Sequence, residues 1–101
     1  MENLNMNNDN ILDTYITFQK KTEKREFDLK YMAIGLGGEV GEILNEIKKL
    51  ERDDLNELTN ERRTKIIHEL GDLFWYFQGI CSRLNCSVSD ILKMNIQKLS
   101  K

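Results

Sequence analysis

Apolar residues recur every third or fourth position along almost the whole chain, which is the spacing of amphipathic helices. Four such stretches are separated by polar connections, at about residues 9–24, 28–50, 60–84 and 87–98. No segment alternates convincingly with a period of two, and the chain has no proline. The pattern therefore predicts an all-α protein, with a four-helix bundle as the simplest architecture.

Two of the predicted helices begin with clear capping signals. Asp28 is a good N-cap for the second helix, and Phe27 before it is placed to pack against Met32 one turn later. The sequence Ser-Val-Ser-Asp from Ser87 predicts the start of the fourth helix. Between the second and third helices, the segment ERDDLNELTN is dense in charge and predicts a solvated connection.

Length and composition narrow the class of protein. A chain of 101 residues predicts a single domain over 1–101, whose Asn-rich segment 1–8 is expected to be frayed. The net charge of −2 argues against binding a nucleic-acid polymer. We find no apolar run long enough for a membrane span and no signal-peptide pattern, so a cytoplasmic protein is expected.

Four helices of this length make a thin hydrophobic core. The second and third helices are apolar enough to need a partner surface, so we expect a homodimer or homotetramer, although a compact monomeric bundle is the alternative. The two cysteines form a lone C-x4-C, and with one histidine they cannot complete a four-ligand zinc site. Reduced thiols are therefore expected.

The stretch GLGGEVGEI, residues 35–43, contains four of the six glycines. A phosphate-binding loop of the Walker type needs a following Lys and Ser or Thr, which are absent, and no strand precedes this stretch. Glycine inside a helix costs about 1 kcal/mol relative to alanine. We therefore expect close approach of another helix or of substrate near Glu39 and Glu42, and Gly71 repeats the arrangement on the third helix.

Two pairs of acids lie in the same relation to the apolar seams of the second and third helices. Glu39 and Glu42 form E-x-x-E, and Glu69 and Asp72 form E-x-x-D. If the two helices pack, four carboxylates converge, and a hard divalent cation such as Mg²⁺, Mn²⁺ or Ca²⁺ resolves their repulsion. The alternative is that these are solvated acids at the edge of the core. A di-iron site is disfavoured because no E-x-x-H exists.

Three further residues near these acids carry chemistry worth weighing. Lys49 can neutralise an anionic leaving group or simply pair with Glu46 one turn earlier. Trp75 can stack on a flat ring of a ligand or pack at a subunit interface. His68 reads as a surface residue rather than as a general base.

These motifs resemble the MazG-like nucleotide pyrophosphohydrolases of the all-α NTP pyrophosphatase superfamily. The resemblance rests on GLGGEVGEI, on IIHELGDLFWYF and on the C-terminal NIQKL, and covers about residues 9–99. It implies hydrolysis of nucleoside triphosphates to the monophosphate and pyrophosphate by a dimer or a dimer of dimers. It also implies Mg²⁺, or Mn²⁺ in its place, and a set of site residues: the metal ligands Glu39, Glu42, Glu69 and Asp72, the phosphate or sugar contacts Asn95 and Lys98, and the base-stacking Tyr76.

The sequence departs from this family at Gly38, where many members carry an additional glutamate before the first acid. The departure leaves the identity of the general base open. The expected reaction is attack of a metal-activated water at the α- or β-phosphorus. Two alternatives stay open: a phosphoribosyl-ATP pyrophosphohydrolase, and a non-catalytic helical module that binds a nucleotide or a protein.

Overall fold

The computed structural model describes residues 10–100, which form four α-helices. They are α1 (Ile11–Thr22), α2 (Leu29–Asp53), α3 (Asn60–Leu84) and α4 (Val88–Leu99). The all-α prediction is confirmed, and the predicted bounds of α3 and the start of α4 match closely. Helix α2 continues three residues beyond the predicted end at Leu50. The frayed segment predicted for residues 1–8 lies outside the described residues.

Side-chain caps account for where three of the helices begin. Asp28 accepts a hydrogen bond from the backbone N–H of Tyr31 at 2.8 Å, as the sequence predicts. Thr59 caps α3 by accepting from Arg62 N at 3.1 Å, and Ser87 caps α4 by accepting from Asp90 N at 3.0 Å. Each such cap contributes about 1 kcal/mol to helix stability.

Helices α2 and α3 form the main contact of the described fold. Two glycines on this contact act as sockets: Met32 of α2 lies against Gly79 of α3, and the Tyr76 ring of α3 lies against Gly35 of α2. From one contact pair to the next, the residue number on α2 rises while that on α3 falls, so the two helices run antiparallel. Helix α1 packs on α3, and α4 makes only marginal contact with the other helices within residues 10–100.

The connection between α1 and α2 is anchored on α3 by Arg83. Its guanidinium pairs with Glu23 at 2.5 and 2.9 Å and donates from Nε to the Phe27 carbonyl at 3.0 Å. Phe27 in turn stacks on Tyr31, with ring centroids 4.0 Å apart. These contacts set the position at which α2 starts relative to α3.

The core is as thin as the sequence predicts, and part of the predicted seam is exposed. Among the described residues, the buried hydrophobic side chains are Met32, Cys81 and Val88. Val40 and Ile47, two of the apolar residues whose three- or four-residue spacing predicts the seam of the second helix, are 44% and 45% exposed, because α2 meets α3 through Met32, Gly35, Glu39 and Glu46 instead. No described helix combines the length and the apolar character that a membrane crossing requires.

Candidate metal centre

Antiparallel packing of α2 and α3 brings together three of the four predicted acids. Glu39, Glu69 and Asp72 each offer a carboxylate oxygen, and these oxygens lie within 4.8 Å of one another. Glu69 and Asp72 lie one turn apart on α3, so both can face the single residue that α2 supplies. Glu42 is exposed and lies outside this group of three, although its charge acts on Glu39.

Glu39 is the member of the cluster whose charged form is least favoured by its surroundings. Its Oε2 is buried and has no hydrogen-bond partner among residues 10–100. Burial raises the pKa of Glu39, and the nearby charges of Asp72, Glu69 and Glu42 raise it further. No lysine or arginine is among the groups that shift this pKa. A buried carboxylate oxygen without a partner, facing two further carboxylates, is the environment that a hard divalent cation stabilises.

A shallow pocket of about 300 Å³ opens beside the cluster, lined by Glu39, Asp72, Trp75 and Tyr76. The rings of Trp75 and Tyr76 meet edge to face, with centroids 5.1 Å apart. The lining of the pocket therefore combines acidic groups with aromatic rings. This combination suits a ligand that carries both a cation-bound anionic part and a flat ring.

Trp75 is fixed in place by α1. Its indole Nε1 donates to Thr22 Oγ1 at 2.7 Å, and Thr22 Oγ1 donates to the Gln19 carbonyl at 2.8 Å. Gln19 is fully buried and its Nε2 donates to the Trp75 carbonyl at 3.3 Å. The sequence gives no signal for this polar link, because Gln19 and Thr22 lie near the end of an otherwise ordinary amphipathic helix.

The Tyr76 ring lies against the backbone of α2 at Gly35. An ideal Cβ placed on Gly35 would lie 2.1 to 2.6 Å from three atoms of the Tyr76 ring. Burial raises the pKa of the Tyr76 hydroxyl, with Tyr31 and Glu39 as the next causes. Of the glycines in the GLGGEVGEI stretch, Gly35 alone has such a neighbour: an added Cβ at Gly37, Gly38 or Gly41 would meet nothing within 4 Å.

The other predicted substrate contacts are not among the described residues that line this pocket. Lys49 Nζ lies 3.8 Å from Glu46 Oε2, which is the plain i, i+3 pair that the sequence offers as its alternative. Asn95 and Lys98 are exposed on α4 and do not line the pocket. His68 is exposed and lines a separate hollow with Asn60, Glu61, Thr64 and Lys65. Cys81 and Cys86 are free thiols.

Comparison with known proteins places this arrangement in a family. Residues 27–101 match the family of the MazG nucleotide pyrophosphohydrolase domain. This match covers most of the chain, including both acid pairs. The chain belongs to the MazG nucleotide pyrophosphohydrolase family. The resemblance inferred from the acid and glycine motifs is thus confirmed, and hydrolase chemistry is the activity of the family.

One curated relative illustrates the reach of the similarity. The "Gene 37 protein" of Mycobacterium phage L5 is 39% identical over 71 residues, which cover 70% of this chain and 62% of that protein. The chain thus aligns with less than two thirds of that relative's length. Among solved structures, none gives a significant match.

The buried ion pairs of Arg62 could not be predicted from the sequence. Arg62 is buried and pairs with Glu46 and Asp54 at 2.7 Å each. Glu46 falls on the same side of α2 as Glu39, so periodicity alone cannot separate a possible metal ligand from an ion-pair partner. The pairs of Arg62 join residues 8 and 16 positions apart in sequence. One partner, Asp54, lies in the connection between α2 and α3, and the sequence does not predict the geometry of that connection.

Proposed function

We propose that this protein is a Mg²⁺-dependent nucleoside triphosphate pyrophosphohydrolase that converts a (d)NTP to the (d)NMP and pyrophosphate. The observation that carries the proposal is the convergence of Glu39, Glu69 and Asp72 around a buried, unpartnered carboxylate oxygen. Membership of the MazG family supplies the reaction class. The substrate, the metal and the site assignment are the proposal's own.

The donor set fits Mg²⁺, with Mn²⁺ as a substitute. All the donors are carboxylate oxygens, which hard divalent cations prefer, and one of them lacks any protein partner. When bound, such a cation would neutralise phosphate charge and lower the pKa of a water molecule. Glu39, Glu69 and Asp72 would hold it, with Glu42 one turn from Glu39 at the exposed edge.

The residues around the cluster would orient the rest of the nucleotide. Trp75 and Tyr76 line the pocket beside Glu39 and Asp72, and the link through Thr22 keeps the indole fixed. Such a pocket can hold a base by stacking while the acids and their cation face the phosphates. From the resemblance, Asn95 and Lys98 would contact phosphate or sugar, and Lys49 would share its charge between Glu46 and a leaving pyrophosphate.

We also propose that the protein is a homodimer or homotetramer. The described helices expose large apolar side chains, among them Ile34 and Leu44 on α2, Leu70 on α3 and Ile96 on α4. A stable interface buries about 800 Å² on each partner. Contact with further copies of the chain would cover these apolar side chains.

Sedimentation equilibrium tests the assembly. The expected mass is two or four times the 11.9 kDa of one chain. A single species at 11.9 kDa across the micromolar range would contradict this part of the proposal.

A nucleotide-consuming activity also fits our expectation of a cytoplasmic location, which imaging of a tagged full-length chain can check.

A panel of canonical and modified ribo- and deoxynucleoside triphosphates, with pyrophosphate release as readout, tests the activity. We expect Mg²⁺-dependent release from at least one triphosphate, and its loss when EDTA removes the cation. Phosphoribosyl-ATP belongs in the panel, because selective turnover of it would favour that alternative. Tight nucleotide binding without turnover would favour a non-catalytic module.

A further inference from the structure

Two pairs of residues on α2 and α3 lie in the same register. Glu46 follows Glu39 by two helical turns on α2, and Arg62 precedes Glu69 by two turns on α3. Because the helices are antiparallel, a register that places Glu39 beside Glu69 also places Glu46 beside Arg62. Arg62 Nη1 indeed donates to Glu46 Oε1 at 2.7 Å. The ion pair and the acid cluster therefore both follow from the same alignment of α2 against α3. They lie about 10 Å apart along the helix axis.

Arg62 is held more firmly than a surface arginine. Its Nε donates to Asp54 Oδ2 at 2.7 Å, directly after the end of α2, while Nη1 reaches Glu46 inside that helix. The side chains of Arg62, Glu46 and Asp54 are only 10%, 12% and 16% exposed. By contrast, Arg52 and Asp53 form a pair of the same length whose side chains are 60% and 45% exposed.

The acid cluster needs such support because its members repel one another. On one side of it, the Met32–Gly79 and Tyr76–Gly35 contacts hold α2 against α3. On the other side, the Glu46–Arg62 ion pair links the two helices. The cluster is thus bracketed by an apolar contact and an ion pair, which together oppose the separation that like charges favour.

We infer that Arg62 is a positioning residue for the cation site. By holding Glu46 it fixes the register that presents Glu39 to Glu69 and Asp72. It also keeps the Glu46 carboxylate, which lies on the same side of α2, paired and outside the ligand set. The inference rests on the proposed function, because it assumes that the cluster binds a cation.

The test is to measure Mn²⁺ binding to the full-length protein. Binding is monitored through the loss of the EPR signal of the free ion. The variants are Arg62→Met, the double variant Glu46→Gln/Arg62→Met, and the matched control Arg52→Met. All are compared at a temperature where circular dichroism shows each to be helical. We expect the dissociation constant to rise at least about tenfold for both Arg62 variants and to stay within about twofold for the control.

The direction of the change separates positioning from simple electrostatics. Removing a positive charge close to a cation site should strengthen binding if charge alone matters. Weaker binding by Arg62→Met therefore indicates lost geometry. In Arg62→Met, the released Glu46 carboxylate could itself disturb the cation site. The double variant lacks this carboxylate. If its Mn²⁺ binding is still weak, the loss of helix register is the cause of the weaker binding.

Unchanged or tighter Mn²⁺ binding by Arg62→Met, or full recovery in the double variant, would overturn this inference while leaving the proposed function intact. No Mn²⁺ binding by the wild type would remove the site itself and overturn both. If Arg62→Met does not fold, Arg62→Lys takes its place. It keeps the charge but loses the fork geometry, so binding at least about threefold weaker supports the inference and wild-type binding overturns it.

Discussion

Glu39→Gln should stabilise the metal-free protein and abolish pyrophosphate release. The substitution removes a carboxylate that is partly buried, lacks a hydrogen-bond partner at Oε2 and faces Asp72 and Glu69. Relief of this environment is expected to contribute about 1 kcal/mol, which corresponds to roughly 4–8 °C in melting temperature for a domain of this size. Activity should fall by about 100-fold or more, the scale expected when one charge-stabilising group is lost from an active site.

The same variant should change the dependence of stability on pH. Burial and neighbouring charges raise the pKa of Glu39 in the folded protein above its ordinary value. Between the unfolded and folded values the native state holds the extra proton, so the free energy of unfolding falls as pH rises through that window. Metal-free Glu39→Gln should lack this component. Melting curves between about pH 4 and pH 8, in EDTA, measure it.

A matched control separates the cluster from general effects of acid removal. Glu51→Gln changes an exposed acid on the same helix, so it should leave activity, Mg²⁺-induced stabilisation and melting temperature close to those of the wild type. A Glu39→Gln protein that is less stable than the wild type without metal, or that keeps full activity, would contradict the account of this cluster.

Gly35→Ala should destabilise the protein strongly although alanine favours helices. The new methyl group would overlap the Tyr76 ring, with an approach of 2.1 Å to the nearest ring atom. Overpacking of this kind costs about 1–3 kcal/mol, and the ring that it displaces is one of the side chains that line the pocket beside Glu39 and Asp72. We therefore expect both a lower melting temperature and weaker nucleotide binding.

Gly37→Ala provides the opposite control within the same stretch. An added Cβ there meets nothing within 4 Å inside the chain, so helix propensity alone should stabilise the monomer fold by up to about 1 kcal/mol. In a Tyr76→Ala background the same Gly35→Ala change should cost little or no stability, because the ring that the new methyl group overlaps is gone. Equal melting temperatures for Gly35→Ala and Gly37→Ala would contradict the socket contact.

Much of the fold follows from local rules that act on short segments. Asp28 and Ser87 are capping residues in favourable sequence context, and both cap their helices through the expected backbone N–H. Helical periodicity locates α3 to the residue. The end of α2 was less accurate, because the charged connection after Leu50 continues as helix until Arg62 and Asp54 pair.

The acid pairs could be predicted because helical spacing sets the direction of each side chain on its own helix. Their meeting depends on the register of α2 against α3, along which Met32 contacts Gly79, Tyr76 contacts Gly35 and Arg62 pairs with Glu46. Those contacts join residues far apart in sequence, so periodicity could not identify them. The glycine stretch shows the same limit: close approach was expected along it, and among the described residues it occurs at Gly35 but not at Gly37, Gly38 or Gly41.

The measurement that addresses the central claim most directly is a ³¹P NMR time course of the wild-type protein with its best triphosphate substrate and Mg²⁺. The account predicts nucleoside monophosphate and pyrophosphate in equal amounts, with no turnover after EDTA is added or when Glu39→Gln replaces the wild type. Release of orthophosphate with a nucleoside diphosphate, or undiminished turnover by Glu39→Gln, would contradict it.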